Sequence, residues 1–158
     1  MSVDLALAKQ HLRILSNDED ALILQYIDSA RGWIETFTSK LLVRRQISHT
    51  ADEFSGYLLL WHGPDVDGLS VEYTDSDGNV QTLADVQTIG DRAYYAGEWP
   101  ERTQHTPIRL TYTAGYADVP GDLTAAWLAI VGHLFDNRDK AGLPMGVYSL
   151  CEPFRKVF

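Results

Sequence analysis

Cysteine is almost missing from this chain. The 158 residues include one, Cys151. No internal disulfide can form, so the fold must hold by packing, and a reducing cytoplasm is the simplest place of synthesis. Long apolar runs are missing too. None approaches the about 20 residues that span a bilayer, which argues against a membrane role. The start, Met1-Ser2-Val3-Asp4, lacks the basic and apolar segments of a signal peptide. Signatures of catalysis are absent: there is no G-x-S-x-G, no P-loop and no G-x-G-x-x-G.

The fourth absence is local. No Lys or Arg lies between Gln46 and Asp91. That stretch holds nine acids: Asp52, Glu53, Asp65, Asp67, Glu72, Asp75, Asp77, Asp85 and Asp91. The other 13 acids balance all 13 bases, so the whole net charge of −9 sits on the middle third. Such a surface repels nucleic acid and offers nothing to neutralise phosphate. A plainer reading, acidic loops that only keep the protein soluble, stands beside it.

What is present points to a folded α+β protein. Apolar content is 45% and charged content 22%, a composition that can bury a core and is unlike that of disordered chains. Asp4 suits the N-cap of a first helix running to about Arg13. The acids of Ser16-Asn17-Asp18-Glu19-Asp20 suit the first turn of a second. Its stripe of Ile23, Tyr26, Ile27, Ala30, Trp33, Ile34, Phe37 and Leu41 has period 3.6. From Arg44 the pattern turns to short strands: 46–50, 57–61, 69–74 and 80–83, with shorter pieces at 86–89 and 92–95. Asp75-Ser76-Asp77-Gly78-Asn79 predicts a hairpin turn and Gly63-Pro64 another. Ile108–Thr113 alternates as a half-buried strand should. Pro120 and Asp122 open a last long helix with Leu123, Ala126, Trp127, Ile130, Val131, Leu134 and Phe135 on its apolar face, ending near Lys140 ahead of Gly142 and Pro144. The tail, 147–158, has room for one short helix. The expected organisation is a single domain over 1–158. Residues 1–43 are helical, 44–116 form an acidic β lobe, and 117–158 carry a helix and a C-terminal tail. The expected class is α+β, with a mainly helical core of three longer helices and a small antiparallel β lobe inserted before the last one.

Candidate chemistry is thin. The Asp75–Asn79 run imitates a calcium loop but places Val80 where that loop needs Gly and Val86 where it needs Glu, so a hairpin turn is favoured. His62, Asp65 and Asp67 straddle a turn without the fourth ligand of a zinc set. His133 and Asp136 stand three apart on a helix with no nucleophile near them. Cys151 and Ser149 lack a Gly-rich elbow, and Cys151 reads as a small packed hydrophobe. No metal and no cofactor is expected. Trp33 and Trp127 read as core; Trp61 and Trp99 suit either the core of the lobe or an interface. Arg44-Arg45 is either a solvated strand start or a salt-bridge donor to a neighbouring subunit's acidic lobe.

The ordered series of segments resembles the head–tail connector (adaptor) proteins of long-tailed bacteriophages and prophages. The likeness rests on Asp4-Leu5…Ala8-Lys9-Gln10-His11-Leu12-Arg13, on Asp18–Ile23 with Tyr26-Ile27, Ala30 and Ile34-Glu35, and on Gly63-Pro64. It continues in Ser70–Asp75 with Asp77-Gly78, in Ile108–Tyr116, in Val119–Leu123, in His133–Arg138, and in Leu150 with Pro153-Phe154-Arg155. The resemblance implies a virion protein made in the bacterial host cytoplasm and placed at the head–tail junction. It implies a subunit of a closed ring that binds the portal protein and tail-side neck proteins while DNA passes through unbound. It implies no reaction. On that premise Asp65, Asp67, Asp75 and Asp77 are candidates to face the channel. Arg44, Arg45, Tyr148, Leu150, Phe154, Arg155 and Phe158 are candidates to bind partners, the tail being read as an extension that docks on the portal. The alternatives are another neck or tail-completion protein, or a small ligand-binding module that uses Trp61, Trp99 and nearby acids.

Overall fold

The computed structural model describes residues 2–138 and 142–156. Phe158 and the expected helix end near Lys140 lie outside the described residues. The chain divides into two compact units. One joins 1–42 to 117–158 and the other is Val43–Tyr116.

In the helical unit, α1 spans Leu5–Leu12. The Asp4 side chain accepts from the Leu7 N–H at 2.8 Å, satisfying one of the donors that a helix start leaves open. Arg13 then turns left-handed at φ 59, and the Ile14 N–H reaches back to the Lys9 carbonyl at 3.0 Å. This Schellman closure ends the helix after two turns. Helix α2, Asp20–Thr38, carries the long stripe. Ile23, Ile27, Ala30 and Ile34 are buried, while Trp33 and Phe37 are only half-buried. Helix α3, Gly121–Asp136, buries Leu123, Ala126, Trp127, Ile130 and Val131. Pro120 stands just before it, and its carbonyl accepts from the Thr124 N–H at 3.0 Å. The Trp127 indole donates to the Ile27 carbonyl at 2.9 Å, so the largest buried side chain leaves no polar atom unmet. Helix α4, Met145–Cys151, runs into a 3₁₀ turn at Glu152–Phe154. Ion pairs tie the helix ends: Lys9 to Asp20 at 2.6 Å, and Arg138 to Glu19 at 2.6 Å.

The second unit is all β. Its strands are β1 Arg45–Ala51, β2 Leu58–Leu59, β3 Asp67–Thr74, β4 Val80–Leu83, β5 Val86–Ile89, β6 Arg92–Tyr95 and β7 Ile108–Ala114. They form a four-stranded sheet of order β1-β7-β3-β4 and a three-stranded sheet of order β2-β6-β5, with antiparallel pairing throughout. Strand β7 alternates as the sequence predicts. Ile108, Leu110, Tyr112 and Ala114 are buried, and their partners Ala51, His49, Ile47 and Arg45 follow in register on β1. Val71, opposite both Leu110 and Leu83, extends the buried face. Leu58 and Ala93, paired across β2 and β6, supply buried residues from the other sheet.

This arrangement corrects the expected mainly helical core of three longer helices with a small β lobe. Among the described residues helix is 35% and strand 25%, in four helices and seven strands. Two physical reasons account for the difference. Helix α1, ending near Arg13 as expected, has only eight residues, so two helices rather than three are long. The strands bury their own apolar face, so 43–116 is a compact unit in its own right.

Candidate functional site

The candidate partner-binding and channel-facing residues were drawn from separate segments, and the β unit joins several of them to each other. Gly115 ends β7 at φ 131. A side chain there would meet the Arg44 Cα at 2.6 Å, so the backbone passes Arg44 at a distance only glycine permits. The Gly115 N–H donates to the Pro64 carbonyl at 2.8 Å. That contact holds the 64–67 turn beside Arg44. The Arg44 guanidinium pairs with the Asp67 carboxylate and donates to the Asp65 carbonyl at 3.0 Å. Arg44 is therefore engaged by acids of its own chain. Arg45 is exposed, and its guanidinium donates to the Val43 carbonyl at 3.4 Å.

Asp75 serves its own hairpin. One carboxylate oxygen accepts from the Asp77 N–H at 3.0 Å and the Asn79 N–H at 2.8 Å, and the other accepts from Gln81 Nε2 at 2.9 Å. The Gln81 and backbone donors hold its carboxyl below the usual carboxylate range. Gly78 takes φ 87, the positive value that its place after Asp77 predicts. Asp65 and Asp77 are exposed, at two different turns.

The tail is folded rather than extended. Tyr148 meets Trp33 edge-on at 5.2 Å and Phe37 at 5.8 Å, while Trp33 and Phe37 stack at 5.1 Å. The Arg155 guanidinium lies 5.4 Å from the Phe37 ring, and the Lys156 N–H donates to the Thr38 carbonyl at 3.0 Å. Leu150 and Phe154 are half-buried. Cys151 is fully buried, and burial pushes its thiol up to about 11, where it is a poor nucleophile.

The remaining candidates do not converge. The His62 N–H donates to the Tyr112 hydroxyl at 3.2 Å, and Asp67 is held by Arg44. The His133 ring faces Asn137, with Nδ1 3.4 Å from Nδ2. Among the described residues no three His, Cys, Asp or Glu side chains gather as a metal set, and no helix is long and apolar enough to cross a membrane. A cleft of about 500 Å³ is open and lined by Asp52, Glu53, Arg102, Gln104, His105, Thr106 and Pro107. Arg102 donates to the Thr106 carbonyl at 2.6 Å and to the Asp52 carbonyl, so its guanidinium ties two loops together. Trp99 is half-buried and stacks on Phe54 at 4.7 Å. Trp61 is 55% exposed, above His49 at 5.5 Å.

One feature escaped the residue-by-residue reading: the outer face of β2, β6 and β5. Leu58 and Ala93 point inward, so Tyr57, Leu59, Arg92 and Tyr94 stand on the other side of the pleat. The Arg92 guanidinium lies 4.3 Å from the Tyr57 ring centre, Tyr57 and Tyr94 meet at 6.0 Å, and Ile89 pairs directly with Arg92. The signal was present as alternation in Tyr57-Leu58-Leu59 and in Arg92-Ala93-Tyr94. Both faces of these short strands carry apolar or aromatic side chains, so alternation alone does not say which one is inside.

Comparison with known proteins agrees with the resemblance read from the sequence. Residues 2–62 match the model of the phage gp6-like head-tail connector protein family. Among solved structures, a chain in the neck of an empty gene transfer agent particle, computed with C6 symmetry, matches with TM-score 0.83 and 24% identity over 99% of this chain and 91% of that one. A chain in the virion of the native gene transfer agent matches with the same TM-score, identity and coverage. A chain in the neck of the native particle, computed with C12 symmetry, matches with TM-score 0.81 and 23% identity over 99% of this chain and 90% of that one. No curated protein matches the chain. The family match bears out the resemblance over the residues it spans, and the structural likeness extends the fold to nearly the whole chain.

Proposed function

We propose that this protein is a structural subunit of the neck of a phage-like particle, at the head–tail junction, where copies close into a connector ring through which DNA passes. The observation that carries the reading is the fold likeness over 99% of the chain to a neck chain, joined to the connector-family match at residues 2–62. The neck particles were computed with C6 and C12 symmetry, which suits a ring built from head-to-tail contacts. Portal protein on one side and tail-side neck proteins on the other are the partners of this reading.

The charge distribution supports passage without capture. The stretch from Gln46 to Asp91 has nine acids and no base, and a wall of that kind does not release counterions from DNA as a basic groove does. Of the acids first considered for the channel, Asp67 is neutralised by Arg44 and Asp75 is bound within its hairpin. Asp65 and Asp77, both exposed, are the ones we assign to that wall.

Pull-down of this protein with portal protein, and separately with tail-side neck proteins, tests the reading. Capture by portal supports the connector. Capture by tail-side proteins alone makes it a tail-completion component. Capture by neither removes the reading.

A further inference from the structure

The face of the three-stranded sheet has the wrong chemistry for a surface that meets only water. Antiparallel sheets with one buried side turn polar residues outward. Here the outward positions are Tyr57, Leu59, Ile89, Arg92 and Tyr94, with the exposed polar Gln87 opposite Tyr94. Ile89 is 67% exposed and Tyr57 36%. Tyrosine and arginine around an exposed aliphatic side chain are the composition of an interface centre. The face is also a charge exception. It lies within or beside the stretch that holds nine acids and no base, yet Arg92 is the charged side chain among these five. Tyr57 holds that guanidinium over its ring, pre-oriented rather than free to sample solvent.

We infer that this Tyr57–Ile89–Arg92–Tyr94 face docks on the acidic stretch of the next copy of the chain. The occupant follows from charge. A cationic aromatic face calls for an acidic surface, and each copy carries nine acids between Gln46 and Asp91, of which Asp67 is already paired with Arg44. The two surfaces differ, so the contact is heterologous: each copy offers its face to one neighbour and acids of that stretch other than the channel-assigned Asp65 and Asp77 to the other, and closure yields a ring. Arg92 thus takes the role of donor to a neighbour's acidic lobe that Arg44, committed to Asp67 of its own chain, does not fill. The inference rests on the ring reading above and adds the surface by which the ring closes.

The test compares wild type with Arg92→Glu and Ile89→Asp by light scattering, alone and with portal protein, beside thermal melts by circular dichroism. Both side chains are exposed, so melting is expected to stay within a few degrees of wild type. The expected result is a wild-type ring and variants that remain single subunits at the same concentration, a loss of at least tenfold in assembly. Wild-type rings with variant rings equally abundant would overturn the docking face and leave the ring reading standing. A wild type that never assembles, alone or with portal, would overturn both. Variants that form rings but no longer bind tail-side proteins would move the face to that partner and overturn its role between copies.

Discussion

Replacing Gly115 by alanine should cost far more than the one methyl added. The residue sits at φ 131, where a side chain is strained by about 1–2 kcal/mol. The new Cβ would lie 2.6 Å from Arg44 Cα and 2.8 Å from Arg44 N. Carbon atoms prefer about 3.5–4.0 Å, so one backbone must retreat by about 1 Å. Neither can do so freely, since Arg45 pairs with Ala114 in the β1–β7 ladder and Gly115 donates to Pro64. Overpacking of this kind costs about 1–3 kcal/mol, giving a total of about 2–5 kcal/mol. Gly68→Ala is the internal control. Its φ is +62, yet nothing lies within 4 Å of the added carbon, so it should cost only the backbone strain of about 1–2 kcal/mol. Amide hydrogen exchange on β1 and β7 reads the β unit without interference from the helices. Protection there should fall by about thirty- to several-thousand-fold in Gly115→Ala. Equal losses in the two variants would refute the close-approach argument.

Other outcomes follow from the same geometry. Trp127→Phe removes the indole donor to Ile27 and some buried volume, and should lower stability by about 1–3 kcal/mol in urea unfolding; a loss under 0.5 kcal/mol would mean the hydrogen bond contributes nothing. The lowered folded pKa of Asp75 means that its carboxylate contributes stability in full above its ordinary value of 3.8, a contribution that shrinks as pH falls through the lower folded value. The melting-temperature gap between wild type and Asp75→Ala should therefore be constant near neutrality and close in acid; a gap independent of pH would contradict the assignment. Cys151, buried with its thiol pushed up to about 11, should ignore a disulfide reagent at pH 8 until the helical unit unfolds, and prompt labelling of the folded protein would show that the tail opens.

Much of the local structure was legible because it depends on neighbours in sequence. Strands β4, β5 and β6 have the bounds that their β-branched and aromatic runs predict. The 3.6 period of α2 marks its buried side correctly at Ile23, Ile27, Ala30 and Ile34. What was hidden depends on residues far apart. Strand β1 pairs with β7 across about sixty positions, and that pairing is what makes 43–116 a unit with its own buried face rather than a lobe on a helical core. Arg44 meets Asp67 only because Gly115 lets a third segment pass between their turns. The tail reads as an extension until Tyr148 is seen edge-on to the stacked Trp33 and Phe37 of α2. The Tyr57–Arg92 face stayed invisible because strands with apolar or aromatic side chains on both sides do not announce their inner one.

Light scattering on the protein alone, and after mixing with portal protein, gives its mass in solution and so tests whether the copies close into a ring. A ring-sized multiple of the 17.7 kDa subunit, formed alone or on the portal, is the predicted result. A 17.7 kDa particle in both conditions, indifferent to portal, would contradict it.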